Sequence, residues 1–378
     1  MSERAGRYAM QPGGYRAFLP RSLPPDPPLQ MSDTLLQALS FADQALGRLD
    51  GAADILPDPD LFVFMFVRKE AVLSSEIEGT RATLIDVLEY EAGHVRQGRA
   101  QDALEVVNYI QALNHGLRRI GEIPVSQRLI REIHAELMRG VRGSNRQPGE
   151  FRTTQNWIGR PHATLSEADF VPPPPHHLPD LLGAFERFLH LQDRLPVLLR
   201  VGLAHAQFET IHPFLDGNGR IGRLLISLLL CERGVLRRPL LYLSNFFRRE
   251  QGRYYERLQA VRDRGDWEGW LAFFLHGVAE VAGSAAGTAR QVLALRERHR
   301  QDVAQQLGAR AGRGQQLLDA LFRRPIIDVR SVAEATSLTY AAANQLTAEF
   351  ERLGLLVETT GQRRHRRFSY APYLQLFH

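Results

Sequence analysis

Residues 221–230 read Ile-Gly-Arg-Leu-Leu-Ile-Ser-Leu-Leu-Leu. Wound into a helix, Ile221, Leu224, Leu225, Ile226, Leu228, Leu229 and Leu230 cover nearly every side with apolar surface. Such a helix is stable only when other elements surround it, so the chain must build a core around this segment. Upstream, Leu198, Val201, His205 and Phe208 mark one face of another helix, which Pro213 stops. Between the two lie His212, Asp216, Gly217, Asn218, Gly219, Arg220 and, one turn into the apolar helix, Arg223. The polar residues thus occupy a loop leading into the N-terminus of a buried helix.

That location suits an anion. The first N–H groups of a helix lack internal partners, and the helix dipole favours negative charge there. Gly217 and Gly219 let the backbone approach a phosphate closely. Arg220 and Arg223, three apart, point to roughly the same face. Asp216 offers one carboxylate, which suits a magnesium ion completing its shell with phosphates and water. His212 is the group in this stretch that titrates near neutrality and could take a proton from an attacking hydroxyl. A lone Gly-Asn-Gly is usually a turn and paired arginines usually face solvent, but solvated faces do not open buried helices.

Composition narrows the chemistry. The 378 residues predict two or three domains. A single cysteine, Cys231, excludes an internal disulfide and a cysteine-based zinc cluster, and its apolar neighbours predict a buried, inert thiol. The formal charge of +5 is small for this length. Lys69 is the only lysine, in neither a P-loop nor a kinase context, so phosphates must be met by arginine and backbone N–H groups. Arg4, Arg7 and Tyr8 interrupt any signal-peptide core, and the apolar run 224–231 is too short to span a bilayer. These features predict a cytoplasmic protein without a membrane segment.

Along the chain, residues 1–30 read as a Gly- and Pro-rich extended arm. Helices are expected from 31 to about 49, from 61 to about 75 with Phe62, Phe66, Leu73 and Ile77 on one side, and across 82–91, 102–120 and 126–139. Pro57 and Pro59 separate the first two. Residues 152–158 look like a strand, and 159–162 supply a turn, together predicting a β-hairpin that Pro172 to Pro175 ends. Helices dominate from 178 to about 283. Residues 284–312 predict a connecting helix with a loose stretch around Gly308 to Gly314.

The segment Ile211-His212-Pro213-Phe214-Leu215-Asp216-Gly217-Asn218-Gly219-Arg220-Ile221-Gly222-Arg223 resembles the signature of the Fic family, His-Pro-Phe-x-Asp/Glu-Gly-Asn-Gly-Arg-x-x-Arg, at every specified position. The resemblance implies a protein adenylyltransferase using ATP and magnesium, with His212 as base for a Ser, Thr or Tyr hydroxyl of a target protein or of the chain itself. It implies Asp216 as magnesium ligand, Phe214 as the loop's core anchor, and Gly217, Asn218, Gly219, Arg220, Ile221, Gly222 and Arg223 around the phosphates. The Gly-Asn-Gly-Arg form favours AMP transfer over the phosphate transfer of the related Doc proteins. Residues 152–171 resemble the family's flap, whose edge pairs with the target's main chain. Tyr254 and Tyr255 resemble the part bordering the nucleotide, and one of them is expected to touch adenosine.

Ser74-Ser75-Glu76-Ile77-Glu78-Gly79 resembles the family's inhibitory motif, Ser/Thr-x-x-x-Glu-Gly/Asn, which implies that Glu78, with Ser74 one turn before it, pairs with Arg223 and withholds the γ-phosphate's partner. Breaking a partly buried bidentate pair costs roughly 3–5 kcal/mol. Reversing a 1:99 population takes about 5.5 kcal/mol, so such a pair supplies much of a switch. In some relatives this glutamate instead positions water for AMP removal.

The last part reads as a winged helix: helices at 317–322, 331–336 and 340–353, and wing strands at 355–358 and 367–370. Arg363, Arg364, His365, Arg366 and Arg367 cluster on the wing, which suits contact with a DNA backbone; such modules also serve as protein or homodimer surfaces. The expected organisation is an arm and inhibitory helix (1–100), a catalytic core (101–283), a linker helix (284–312) and a winged-helix module (313–378). The fold class is mainly α, with a small hairpin flap. The rival reading is a DNA-binding regulator with a nucleotide-sensing core.

Overall fold

Helix α8 (Asn218–Glu232) is the axis of the structure, and every residue from Arg220 to Leu230 is buried. The structure is a computed structural model describing residues 3–54, 59–94, 98–160 and 163–377. In chain order it has strands β1 (Gly6–Met10) and β2 (Arg16–Pro20), then helices α1 (Asp33–Asp54), α2 (Pro59–Ile77), α3 (Leu84–Glu91), α4 (Ala100–Arg119) and α5 (Gln127–Leu137). There follow α6 (Leu178–His190), α7 (Val197–Ile211), α8, α9 (Ser244–Arg249), α10 (Gln251–Arg264) and α11 (Trp267–Gln306). The last part holds α12 (Ala311–Arg323), β3 (Ile326–Asp328), α13 (Val329–Thr336), α14 (Tyr340–Arg352), β4 (Val357–Glu358), β5 (Arg367–Ser369) and α15 (Ala371–Leu374).

Helices α2, α4, α5 and α7 all pack against α8, which accounts for its unbroken apolar surface. Local signals set the neighbours' ends. Thr83 and Asp86 form a capping box at the start of α3, and Ser126 caps α5. Gly202 lets α7 approach α11 closely: a Cβ there would meet Leu271 at 2.8 Å and Phe274 at 3.0 Å. The Trp270 indole of α11 donates to the Gly202 carbonyl across that contact at 2.8 Å.

The mainly helical class holds, with small antiparallel sheets, and several local expectations change. The arm contains a hairpin, β1 paired antiparallel with β2 from Gly6–Pro20 to Met10–Arg16. Gly13 and Gly14 both take positive φ at its turn. Phe18 is buried, its N–H donates to the Val171 carbonyl, and Arg4 forks onto Glu268 at 2.7 and 2.8 Å, so the arm straps the core.

Residues 152–158 form no strand. One antiparallel bridge, Ile158 to Phe170, closes the loop, because neighbouring backbone groups bond to the Arg152, Gln155 and Asn156 side chains instead of a ladder. Pro161 and His162 of the expected turn, like Pro57, lie outside the described residues, as does the side chain of Phe62.

The expected boundary at 283 falls inside α11, a single helix of 40 residues. The loose stretch shrinks to a turn, Gly308–Arg310, before α12. Strand β3 escaped the sequence reading because three residues carry no periodicity; it completes a sheet ordered β3-β5-β4. This last part is not a detached body. Arg367 faces Glu89 of α3 at 3.7 Å, Phe377 meets Phe66 of α2 edge-on at 5.5 Å, and the Tyr370 hydroxyl lies 2.6 Å from His299 of α11. Among the described residues no helix is long and apolar enough to cross a membrane.

Gly202→Val should overpack the α7–α11 contact and lower stability by about 1–3 kcal/mol, read as a lower unfolding temperature by calorimetry. An unchanged temperature would show that the notch is slack.

Candidate active site

Helix α7 ends at Ile211, and His212 turns the chain in the left-handed region at φ 50°, ψ 60°. A non-glycine residue held there costs roughly 1–3 kcal/mol, so its surroundings must impose the conformation. Arg152 and Asn156 do so. The Arg152 Nε donates to the His212 carbonyl at 2.9 Å and its Nη2 to that of Pro173 at 2.6 Å. The Asn156 amide bridges the carbonyls of His212 and Phe214. Asn218 closes the loop by exchanging two 2.8 Å bonds with the main chain of Phe214.

Phe214 is the core anchor expected of it, stacked on His134 with centroids 3.7 Å apart. His134 escaped the sequence reading because it lies some eighty positions away. The Gly149 N–H donates to its Nδ1, so the proton sits on Nε2, which donates to the Asp216 carbonyl at 3.1 Å. Burial holds its pKa down at about 4, in keeping with a neutral ring. Burial first, then Arg152 and Arg262, lowers His212 to about 3, and its Nδ1 has no hydrogen-bond partner. His212 is therefore a neutral imidazole at physiological pH.

Gly217, at φ 76°, occupies the N-cap of α8 and supplies no capping side chain. Since Asn218 spends its side chain on Phe214, the amides of Asn218, Gly219 and Arg220 have neither an intrahelical nor a capping partner. Arg220 is buried with Glu105 at 3.7 Å and Asp216 at 3.9 Å, while its Nε and Nη1 make no hydrogen bond. Glu105, also missed in the sequence, is buried and takes the Thr80 hydroxyl. Asp216 is exposed, with Oδ1 on the Gly217 amide. Ile221 is corrected: its side chain is core and its amide bonds to the Gly217 carbonyl, so it offers nothing to a ligand. Gly222 gives its carbonyl to His205 and leaves space that the Glu209 carboxyl fills.

Arg223 meets α2. Its Nε donates to Ser74 Oγ at 2.9 Å, and its Nη2 to the Ser74 carbonyl at 2.9 Å and Glu78 Oε1 at 2.6 Å. The bidentate pair becomes a single carboxylate bond, because Ser74 takes the other edge of the fork. Burial alone would raise the Glu78 carboxyl, but Arg223 holds it below the usual range. The Glu78 side chain is still 36% exposed, against 2% for Arg223, so it lines an open cleft. It also lies against Gly219, where a Cβ would collide with Oε1.

The two tyrosines part company. Tyr254 is core: its hydroxyl donates to His205 Nε2 at 2.8 Å and its ring packs on Phe247 at 4.5 Å, which removes it as an adenosine contact. Tyr255 is 48% exposed and lies within the fields of Glu78 and Arg223. On the wing, Arg366 bonds to Asn344 and Arg367 faces Glu89, so the basic cluster reduces to Arg363, Arg364 and His365.

Residues 36–118 match the model of the Fic/DOC family N-terminal region, and residues 124–230 that of the Fic/DOC family. A probable protein adenylyltransferase of Aquifex aeolicus is 30% identical over 46% of this chain and 51% of its own length. A protein adenylyltransferase Fic of Drosophila erecta is 36% identical over 30% of this chain and 21% of its own. The matches thus span about half or less of these curated relatives. A solved Fic family protein from Desulfovibrio desulfuricans G20 covers 91% of this chain and 97% of its own, with TM-score 0.60 and 20% identity, a likeness of fold.

By nuclear magnetic resonance of labelled histidines, His212 should stay neutral from pH 8 down to about pH 5, instead of titrating near its ordinary value. Arg152→Met should move its titration upward. A His212 that titrates normally in the intact chain would contradict the burial described here.

Proposed function

The chain belongs to the Fic/DOC family, and we propose that it is a protein adenylyltransferase moving the AMP group of ATP onto a Ser, Thr or Tyr hydroxyl of a target protein. The observation that carries this reading is the uncapped start of α8, where buried Arg220 donors lack partners close in sequence to a neutral His212. Unpaired buried donors are costly, and phosphate oxygens satisfy them. In the proposed reaction the α- and β-phosphates lie against the amides of Asn218, Gly219 and Arg220. The target hydroxyl attacks the α-phosphorus, its proton passes to His212, and the bond to the β-phosphate breaks to release pyrophosphate. Tyr255 borders the nucleotide base.

Among the described residues no three acidic, histidine or cysteine side chains cluster as a metal site. That fits magnesium, which takes one or two carboxylates together with substrate phosphates and water. Asp216 is the residue that would hold it, and the ion would supply charge neutralisation to the phosphates.

Glu78 is read as a brake. While Arg223 is engaged by Ser74 and Glu78, it is withheld from the γ-phosphate. A second reading, removal of AMP, draws on the same residue: Oε1 alone takes the Arg223 bond, and an ionised carboxylate in an open cleft can orient a water. For the C-terminal module we keep DNA contact, supported by a cleft of about 600 Å³ lined by Arg330, Tyr340, Asn344, Arg363, Arg364 and His365.

With α-labelled ATP, magnesium and lysate, Glu78→Gly should raise label on protein at least about tenfold over the parent chain, the effect of losing one charged hydrogen bond. Glu78→Gly with His212→Ala should give none. Label that persists without His212 would end its role as base, and an unchanged Glu78→Gly would remove the brake. Loss of label from a pre-modified protein, abolished by Glu78→Gly, would favour AMP removal.

Duplex DNA binding by the full chain should weaken with salt, and the double variant Arg363→Ala, Arg364→Ala should reduce the salt slope by about two. No salt-dependent binding would leave the module a protein-contact or dimer surface.

A further inference from the structure

Helix α2 carries a third polar residue in line with Ser74 and Glu78. Glu70, Ser74 and Glu78 follow at four-residue spacing and so share one face. Glu70 is buried at 4% exposure, and its carboxyl gathers three donors from two other helices. Ser244 of α9 gives its hydroxyl to Oε1 at 2.5 Å and its backbone N–H to Oε2 at 3.0 Å. Tyr109 of α4, which also faces Ser74, gives its hydroxyl to Oε1 at 3.3 Å. Arg223 of α8 is the charged group nearby.

These bonds differ in kind from those of Ser74 and Glu78. Both of those end on the Arg223 side chain, a flexible partner that cannot fix the axial position of a helix. The Ser244 amide belongs to the main chain, so the Glu70 bonds pin α2 to the scaffold one turn before Ser74 and two before Glu78.

We propose that Glu70 is a positioning residue for Arg223, holding the C-terminal half of α2 in the register that seats Ser74 and Glu78 on its guanidinium. This inference rests on the proposed role of Arg223 in binding the γ-phosphate. The arrangement is sensitive to the charge on Glu70, since three donors converge on it and an ionised carboxylate accepts all three. A protonated carboxyl must itself donate, which turns one of these partners away. Burial pushes the Glu70 carboxyl up to about 7, against the bonds of Ser244 and the charge of Arg223. Glu78 is held below the usual carboxylate range and stays ionised throughout neutrality. Glu70 therefore titrates where the brake itself does not, and acid loosens the latch: the hold on α2 is full above about 7 and lost below it.

The test is amide hydrogen exchange on the full chain. Glu70→Gln keeps the shape and removes the charge, and should speed exchange across residues 70–79 about tenfold. Ser244→Ala, which removes the hydroxyl donor alone, should act in the same direction and serves if Glu70→Gln does not fold. Unchanged exchange in these variants overturns the proposal. In the transfer assay, the parent rate relative to Glu78→Gly should rise about tenfold from pH 8 to pH 6, following the protonated fraction of a group near 7. Glu70→Gln should be flat across that range, and a parent ratio equally flat would count against the latch. If Glu78→Gly transfers nothing at any pH, the AMP-transfer reading fails, and the exchange result alone decides the role of Glu70.

Discussion

Two guanidinium groups enter an apolar core on the first turns of α8, and the rest of the structure answers the charge they bring. A buried cation is tolerated only with acceptors around it. Arg223 is fully answered by Ser74 and Glu78. Arg220 is answered only in part, by Glu105 and Asp216 at ion-pair distance with two donor nitrogens unbonded. The difference divides the site into a half that the chain satisfies itself and a half that demands an outside anion. The same logic explains why Gly219 has no side chain: the carboxylate answering Arg223 occupies that space.

The loop between α7 and α8 is held as rigidly as the helices on either side. His212 sits in a strained conformation, and Arg152, Asn156 and Asn218 bind the carbonyls on both sides of it. Arg152 does two jobs at once. Its hydrogen bonds fix the backbone of His212, and its charge helps keep the imidazole neutral. A base that must accept a proton in the reaction needs both properties, and one buried arginine supplies them.

Much of this was legible in the sequence because it is local. The apolar periodicity of α8, the stop at Pro213 and the spacing of Ser74 and Glu78 are all contained within a few turns. Residues that act across the fold were not legible. His134, Glu105 and Arg152 carry no signal of their own, and a lone buried histidine or arginine reads like any other. Tyr254 failed for a related reason: an aromatic at helical spacing looks the same whether it faces a ligand or, as here, a buried histidine. The expected strand at 152–158 failed because side-chain hydrogen bonds, which propensity does not count, displaced the ladder.

The position of the brake limits how it can open. Met65, Phe66, Val67, Ala71, Val72 and Leu73 of α2 are all buried in the common core. Each large apolar side chain among them contributes roughly 1.5–3 kcal/mol by burial, so withdrawing the helix would cost more than a whole domain's net stability allows. Release must therefore be confined to the end of the helix. Gly79 follows Glu78 at φ 90°, and beyond it the chain turns away toward α3. The side chain of Glu78 and the last turn of α2 can move while Phe66 stays locked against Tyr242 and Phe377. An inhibitory carboxylate at the frayed end of an otherwise immovable helix leaves Arg223 without disturbing the fold that carries it.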